Sequence, residues 1–257
     1  MASYAQHLSV LNCYMAMQGV PLFIETMQLQ APLGASIHWN KPRTLQKYLP
    51  FYQWVLFMDS DVVINNRTKR LTDYLDDRYH VIVCEREQGE FMPLILVRNS
   101  PQGHAFLDRW LNYSFNGVDF NGDNGPFHHV LLKTAFPDET RCDALLELNA
   151  RVPCCTDEYW RFIDCVKRTF GKRREFPVPG LKIFRPGLGF LRIRAYQFGF
   201  ACMVYTMWQD FFLHSKEADG LISYEDIYCL PVSGKVGPPL HSAPCVLPAL
   251  TRAARAS

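Results

Sequence analysis

Apolar positions along the chain fall into two kinds of run. Tyr4, Leu8, Leu11 and Met15 recur at steps of four, three and four, the stripe of an amphipathic helix. Gly19 supplies a natural stop just after Gln18. Trp54-Val55-Leu56-Phe57-Met58 is instead apolar at every position, as expected of a strand covered on both faces. His80 to Cys84 and Pro93 to Val97 read the same way, and the β-prone stretch Val20 to Met27 predicts a further strand. A short helix is expected from about Arg43 to Tyr48, ended by Pro50, which lacks an amide donor and clashes with the preceding turn. Ser100-Pro101 reads as a cap followed by proline at the first helical position. That helix should run to about Tyr113 and bury Phe106, Leu107, Trp110 and Leu111. Helices are also expected from Asn124 to Lys133 and from Tyr159 to Phe170, with short strands at Lys182 to Phe184 and Phe190 to Ile193. Strands alternating with helices predict an α/β fold with a mostly parallel sheet. Proline, glycine, serine and alanine dominate from Pro231 onward, so residues 1–230 form the expected domain and 231–257 an unstructured tail.

Composition narrows the classes. The chain has 257 residues, 48% hydrophobic and 14% aromatic, which excludes a disordered or coiled-coil protein. With 27 basic and 25 acidic residues the formal net charge is +2, so no global field points to nucleic acid. The most apolar stretch, Tyr196 to Leu213, contains Gln197, Gln209 and Asp210 and falls short of a membrane span. No basic segment precedes an unbroken apolar block at the start, so no signal peptide is read there. Nine cysteines are present. Cys142, Cys154, Cys155 and Cys165 cluster without the Cys-x-x-Cys pairs of a zinc site, which leaves buried thiols or disulfides. Lys167 to Arg174 is locally basic and reads as a solvated loop. The sequons Asn66-Arg67-Thr68 and Asn112-Tyr113-Ser114 permit a secretory location.

Three segments could carry chemistry. Asp59-Ser60-Asp61 directly follows the apolar strand ending at Met58. Open α/β sheets bind ligands beyond the carboxyl ends of their strands. Two carboxylates there could share Mn²⁺ or Mg²⁺, hard cations that take oxygen ligands; an Asx turn closing the strand is the simpler alternative. Asn121-Gly122-Asp123-Asn124-Gly125 is either turn chemistry alone or a loop presenting Asp123 to ligand hydroxyls at a helix start. His128 and His129 on that helix lack a ligand pattern and read as ordinary helix residues. His214-Ser215-Lys216 follows an apolar segment and could complete a metal and phosphate site or merely end a strand. Lys47 is ambiguous in the same way.

Taken together, these segments resemble the GT-A fold nucleotide-sugar glycosyltransferases. The likeness is greatest to a eukaryotic group related to the Golgi galactosyl- and mannosyltransferases of glycosyltransferase family 34. It rests on Leu49-Pro50 through Asp59-Ser60-Asp61, Leu96-Val97-Arg98-Asn99-Ser100-Pro101, Gly122-Asp123-Asn124-Gly125 and Asp210-Phe211-Phe212-Leu213-His214, in that order over about residues 4 to 216. The resemblance implies a Rossmann-like sheet flanked by helices, here beginning after the family's first strand. It further implies that Asp59 and Asp61 bind Mn²⁺ (or Mg²⁺) and the nucleotide, with His214 as a further metal ligand. Asp123 would contact the transferred sugar, and Lys47 and Lys216 the diphosphate. The implied reaction moves a hexose from a UDP- or GDP-sugar donor to a glycan or glycoconjugate acceptor with retention of configuration, in the Golgi or another secretory lumen. Related sequences carry Gly-Trp-Lys after the histidine where this chain has Ser215-Lys216. That departure motivates the alternative of a catalytically inactive binding or scaffold protein.

Overall fold

The computed structural model describes residues 5–25, 37–58, 62–64, 70–85, 91, 94–115, 123–149, 157–185 and 212–214. Asp59, Asp61, Lys216, the expected strand at Phe190 to Ile193 and the tail 231–257 lie outside the described residues. The helices are α1 (Ala5–Gln18), α2 (Asn40–Tyr48), α3 (Pro101–Phe115), α4 (Asn124–Ala135), α5 (Asp143–Asn149) and α6 (Asp157–Phe170). The strands are β1 (Trp54–Met58), β2 (Val62–Ile64), β3 (Val81–Cys84), β4 (Leu94–Arg98), β5 (Glu175–Phe176), β6 (Leu181–Phe184) and β7 (Phe212–His214).

A five-stranded sheet in the order β1-β4-β3-β6-β5 forms the centre, and β2 and β7 make a separate two-stranded sheet. Register explains why its strands are apolar throughout. Val55, Val97, Val81 and Leu181 align across β1, β4, β3 and β6, as do Phe57, Ile95, Val83 and Ile183. Both rows face one core, where Phe106 and Trp110 of α3, Phe127 and Leu131 of α4, and Phe162 and Val166 of α6 are buried. Leu56, Leu94 and Cys84, at the alternate positions, face a second core with Leu11, Tyr14 and Met15 of α1 and Leu71. Side chains alternate between faces along a strand, so two covered faces demand unbroken apolar runs.

That double burial also misled the expectation of a mostly parallel sheet. Among the described strands, β3 and β6 pair in parallel, while β1·β4, β3·β4 and β5·β6 are antiparallel. An apolar run reports burial on both faces and carries no information on direction. The segment Val20 to Met27 is a second correction. Its described part, Val20 to Glu25, belongs to no strand, and Phe23 stacks on Tyr48 with ring centroids 4.5 Å apart. Helix α5 was not foreseen, being seven residues, too short for a period to show.

Local chemistry agrees with the elements elsewhere. Gly19 at φ +65 ends α1, with Val20 N–H donating to Met15 O at 3.0 Å and Gly19 N–H to Ala16 O at 3.2 Å, a Schellman stop. Ser100 Oγ accepts the Gly103 N–H at 3.1 Å, which makes it the cap of α3. Gly103 sits so close to β4 that a Cβ there would lie 2.1 Å from Arg98 O; glycine is what lets α3 start directly after that strand. Phe106, Leu107, Trp110 and Leu111 are all buried, as the sequence pattern predicts. A disulfide joins Cys142 to Cys165, tying the start of α5 to α6.

Candidate functional site

Strands β1, β3 and β6 run in one direction, so Met58, Cys84 and Phe184 finish at the same edge of the sheet. Asp59 follows Met58 in sequence. Glu85 follows Cys84 and is buried at this edge, held by Arg174, whose Nε donates to Oε2 at 2.7 Å and Nη2 to Oε1 at 2.9 Å. Arg174 is therefore no solvated loop residue: its side chain is 12% exposed. It fixes the end of β3 to the segment entering β5.

Asp123 stands at the N-cap position of α4, yet its side chain makes no cap bond. Its Oδ2 lies 3.3 Å from Nζ of Lys41 in the first turn of α2, with side-chain exposures of 3% and 16%. Trp110 Nε1 donates to the Asp123 backbone oxygen at 3.3 Å. Asn124 Oδ1, the neighbouring acceptor, is buried with no hydrogen-bond partner among the described residues. A buried acceptor beside a buried ion pair is costly unless something donates to it. Lys41 was missed in the sequence, where nothing local separates one helix lysine from another.

Lys47 occupies the other end of the same helix. Six residues separate it from Lys41, about 9 Å along the axis. It pairs with Glu25 and lies over the Tyr48 ring at 4.9 Å. Glu25 also accepts from Tyr48 Oη at 2.7 Å. The hydrogen bond from Lys47 holds the Glu25 carboxyl below its ordinary range. The structure thus joins Lys41, and not Lys47, to Asp123.

His128 and His129 are structural, as their pattern suggests. His128 Nε2 accepts the Phe91 N–H at 2.8 Å, so its Nδ1 carries the proton and donates to Asn124 O at 2.6 Å. It thereby ties the first turns of α4 to Phe91, three residues before β4 begins. His129 Nε2 donates to Asp143 Oδ1 at 2.9 Å, and its Nδ1 accepts from Tyr113 Oη. Lys133 donates to the other Asp143 oxygen at 2.9 Å. Burial keeps the His129 imidazole neutral below its usual range despite that carboxylate, and burial raises the Tyr113 phenol to about 12.

The backbone of β7 connects the remaining segments. Val62 faces His214, Val63 faces Leu213 and Ile64 faces Phe212 in an antiparallel pair. The residue covalently following Asp61 is thus registered opposite His214. No group of three metal-ligating side chains forms among the described residues, which do not include Asp59 or Asp61. No helix among them is long and apolar enough to cross a membrane.

These features define a mixed α/β domain: a five-stranded sheet between helices. The chain belongs to the family DUF273, described as "Protein of unknown function", whose model matches residues 13–226. No curated protein is significantly similar to it. A solved structure described as "crystal structure of a glycosyltransferase involved in the glycosylation of the major capsid of PBCV-1" is similar at a TM-score of 0.41 and 13% identity, over 87% of this chain and 89% of that chain.

Proposed function

We propose that this protein is a metal-dependent glycosyltransferase that moves a hexose from a UDP- or GDP-sugar to a glycan or glycoconjugate acceptor, with retention of configuration. The observation that carries the reading is the Val62–His214 register. Two segments singled out in the sequence, Asp59-Ser60-Asp61 and the one ending in His214, are far apart in the chain, yet the strands that adjoin or contain them pair directly. A second support is the Lys41–Asp123 pair, a carboxylate and an ammonium set beside a buried acceptor at a helix start.

The donor set suits the expected ion. Two carboxylates and an imidazole match Mn²⁺, with Mg²⁺ as the oxygen-preferring substitute. Asp59, Asp61 and His214 would hold it, and it would neutralise the departing diphosphate. The chain's other groups bind and orient. Asp123 accepts hydrogen bonds from sugar hydroxyls, and Asn124 Oδ1 takes a further hydroxyl donor. Lys41 pairs with Asp123 and holds its carboxylate in place. Lys47 and Lys216 stay the candidate cations at the diphosphate, and Lys41 is a further cation of α2, set beside Asp123. The location that suits such an enzyme is the Golgi or another secretory lumen.

A panel of nucleotide sugars with Mn²⁺ and glycan acceptors tests the reading. Transfer or donor hydrolysis should appear with one hexose donor and fall by on the order of 100-fold in Asp123→Asn, the effect of losing one oriented charged contact. A panel with no turnover of any donor would overturn it.

A further inference from the structure

We propose that Asn112 carries an N-linked glycan, attached in an oxidising secretory lumen. The inference does not depend on the transferase reading, because it concerns a different chemistry. Asn112-Tyr113-Ser114 is one of two sequons in the chain. An acceptor asparagine must end on the surface, and a sequon whose asparagine folds inward carries no sugar. Here the fold separates the two residues. Tyr113 turns inward, its Oη donating to His129 Nδ1. Successive helix positions differ by about 100°, and Asn112 is exposed. Asp108 and Arg109, one turn earlier on the same face of α3, are exposed as well. The side chain of Asn112 therefore leaves the helix on a solvated, polar face of the described residues.

The second observation concerns the compartment. Cys142 and Cys165 are joined in a disulfide, and Cys13 is also disulfide-bonded. Structural disulfides form and persist where the surroundings are oxidising and are rare in a reducing cytosol. Asparagine glycosylation belongs to the same secretory route. The sequon and the disulfides, distinct sequence features, thus select one environment.

In the modification the Asn112 side-chain nitrogen attacks the anomeric carbon of an oligosaccharide held on a polyprenyl diphosphate. One C–N bond forms and the C–O bond to the diphosphate breaks. The lipid diphosphate leaves with the bonding pair, and the amide loses one proton to a base on the transferring enzyme. No redox change occurs.

The test uses the full chain isolated from its own cells. Treatment with a peptide-N-glycosidase in heavy-oxygen water, followed by peptide mass spectrometry, should convert Asn112 to an aspartate bearing the heavy oxygen. Disulfide mapping of the same sample should recover the Cys142–Cys165 peptide pair. In cells expressing variants, Asn112→Gln and Ser114→Ala should abolish the glycosidase-sensitive gel shift assigned to this site, while Ser114→Thr, which keeps the sequon, should retain it. An unmodified Asn112 overturns the site whatever the cysteines show. If Cys142 and Cys165 are also reduced, the compartment assignment falls with it.

Discussion

Lys41 Nζ lies 3.3 Å from Asp123 Oδ2, joining the first turn of α2 to the N-cap of α4. Both side chains are mostly withdrawn from solvent, so removing either charge leaves the other poorly hydrated. Removing one partner of a buried pair costs about 3 kcal/mol, much of it the penalty of the stranded charge. Lys41→Met should therefore lower unfolding stability by about that much in urea. The double variant Lys41→Met/Asp123→Leu should regain part of the stability, yet regain no transferase activity. A double variant as unstable as the single one would show that the pair is not a coupled unit.

His129 ties stability to pH. Its ring is held between Tyr113 and Asp143 in the neutral form, and burial lowers its pKa from the ordinary 6.5. Above pH 6.5 both folded and unfolded imidazoles are neutral. As pH falls through 6.5 the unfolded chain takes up its proton first, so stability drops until the folded pKa is reached. Urea midpoints measured from pH 7.5 to 5.5 should decline for the native protein. The decline should be shallower in His129→Gln, which has no proton to gain. Equal slopes in the two proteins would contradict the assignment.

The Cys142–Cys165 bond closes a loop of 23 residues by sequence separation. In the chain-entropy account, cross-linking a loop of this size stabilises by about 3 kcal/mol. Reduction, or the Cys142→Ala/Cys165→Ala variant, should lower the denaturant midpoint correspondingly while α6 keeps its helical signal. An unchanged midpoint would mean that the segments stay together without the bond.

Gly103 offers a steric test of the α3 start. Alanine favours a helix by roughly 1 kcal/mol over glycine, so a surface helix would be stabilised by the exchange. Here the added Cβ would meet Arg98 O at 2.1 Å, and backbone cannot swing aside as a side-chain tip can. Overpacking of this kind costs about 1–3 kcal/mol, enough to offset the propensity gain. Gly103→Ala should lower the melting temperature; a rise would show that α3 sits farther from β4.

Elements whose signal is local were legible in the sequence. The β1 run from Trp54 to Met58, the Gly19 stop of α1 and the Ser100-Pro101 start of α3 each depend on residues within a few positions of one another. Strand direction was not legible, because a doubly covered strand is equally apolar whichever way it runs. Val20 to Glu25 has strand composition but no strand partner among the described residues, and pairing is a property of the whole fold. The site divides along the same line. Asp123 was readable from the turn and helix around it. Lys41 became a candidate only when the structure joined it to Asp123, and Arg174 only when it reached Glu85.

The central claim is that Asp59, Asp61 and His214 bind a divalent ion and, through it, a nucleoside diphosphate. Calorimetric titration of the purified chain with UDP and with GDP, each with and without Mn²⁺, tests it most directly. The account predicts Mn²⁺-dependent binding of one nucleotide, weakened at least about tenfold, or roughly 1.4 kcal/mol, in each of Asp61→Asn and His214→Ala. Asp138→Asn, an exposed position remote from these residues in sequence, should bind as the native protein does. Absence of binding to either nucleotide, or equal affinity in native and Asp61→Asn proteins, would contradict it and favour an inactive relative that serves as a scaffold.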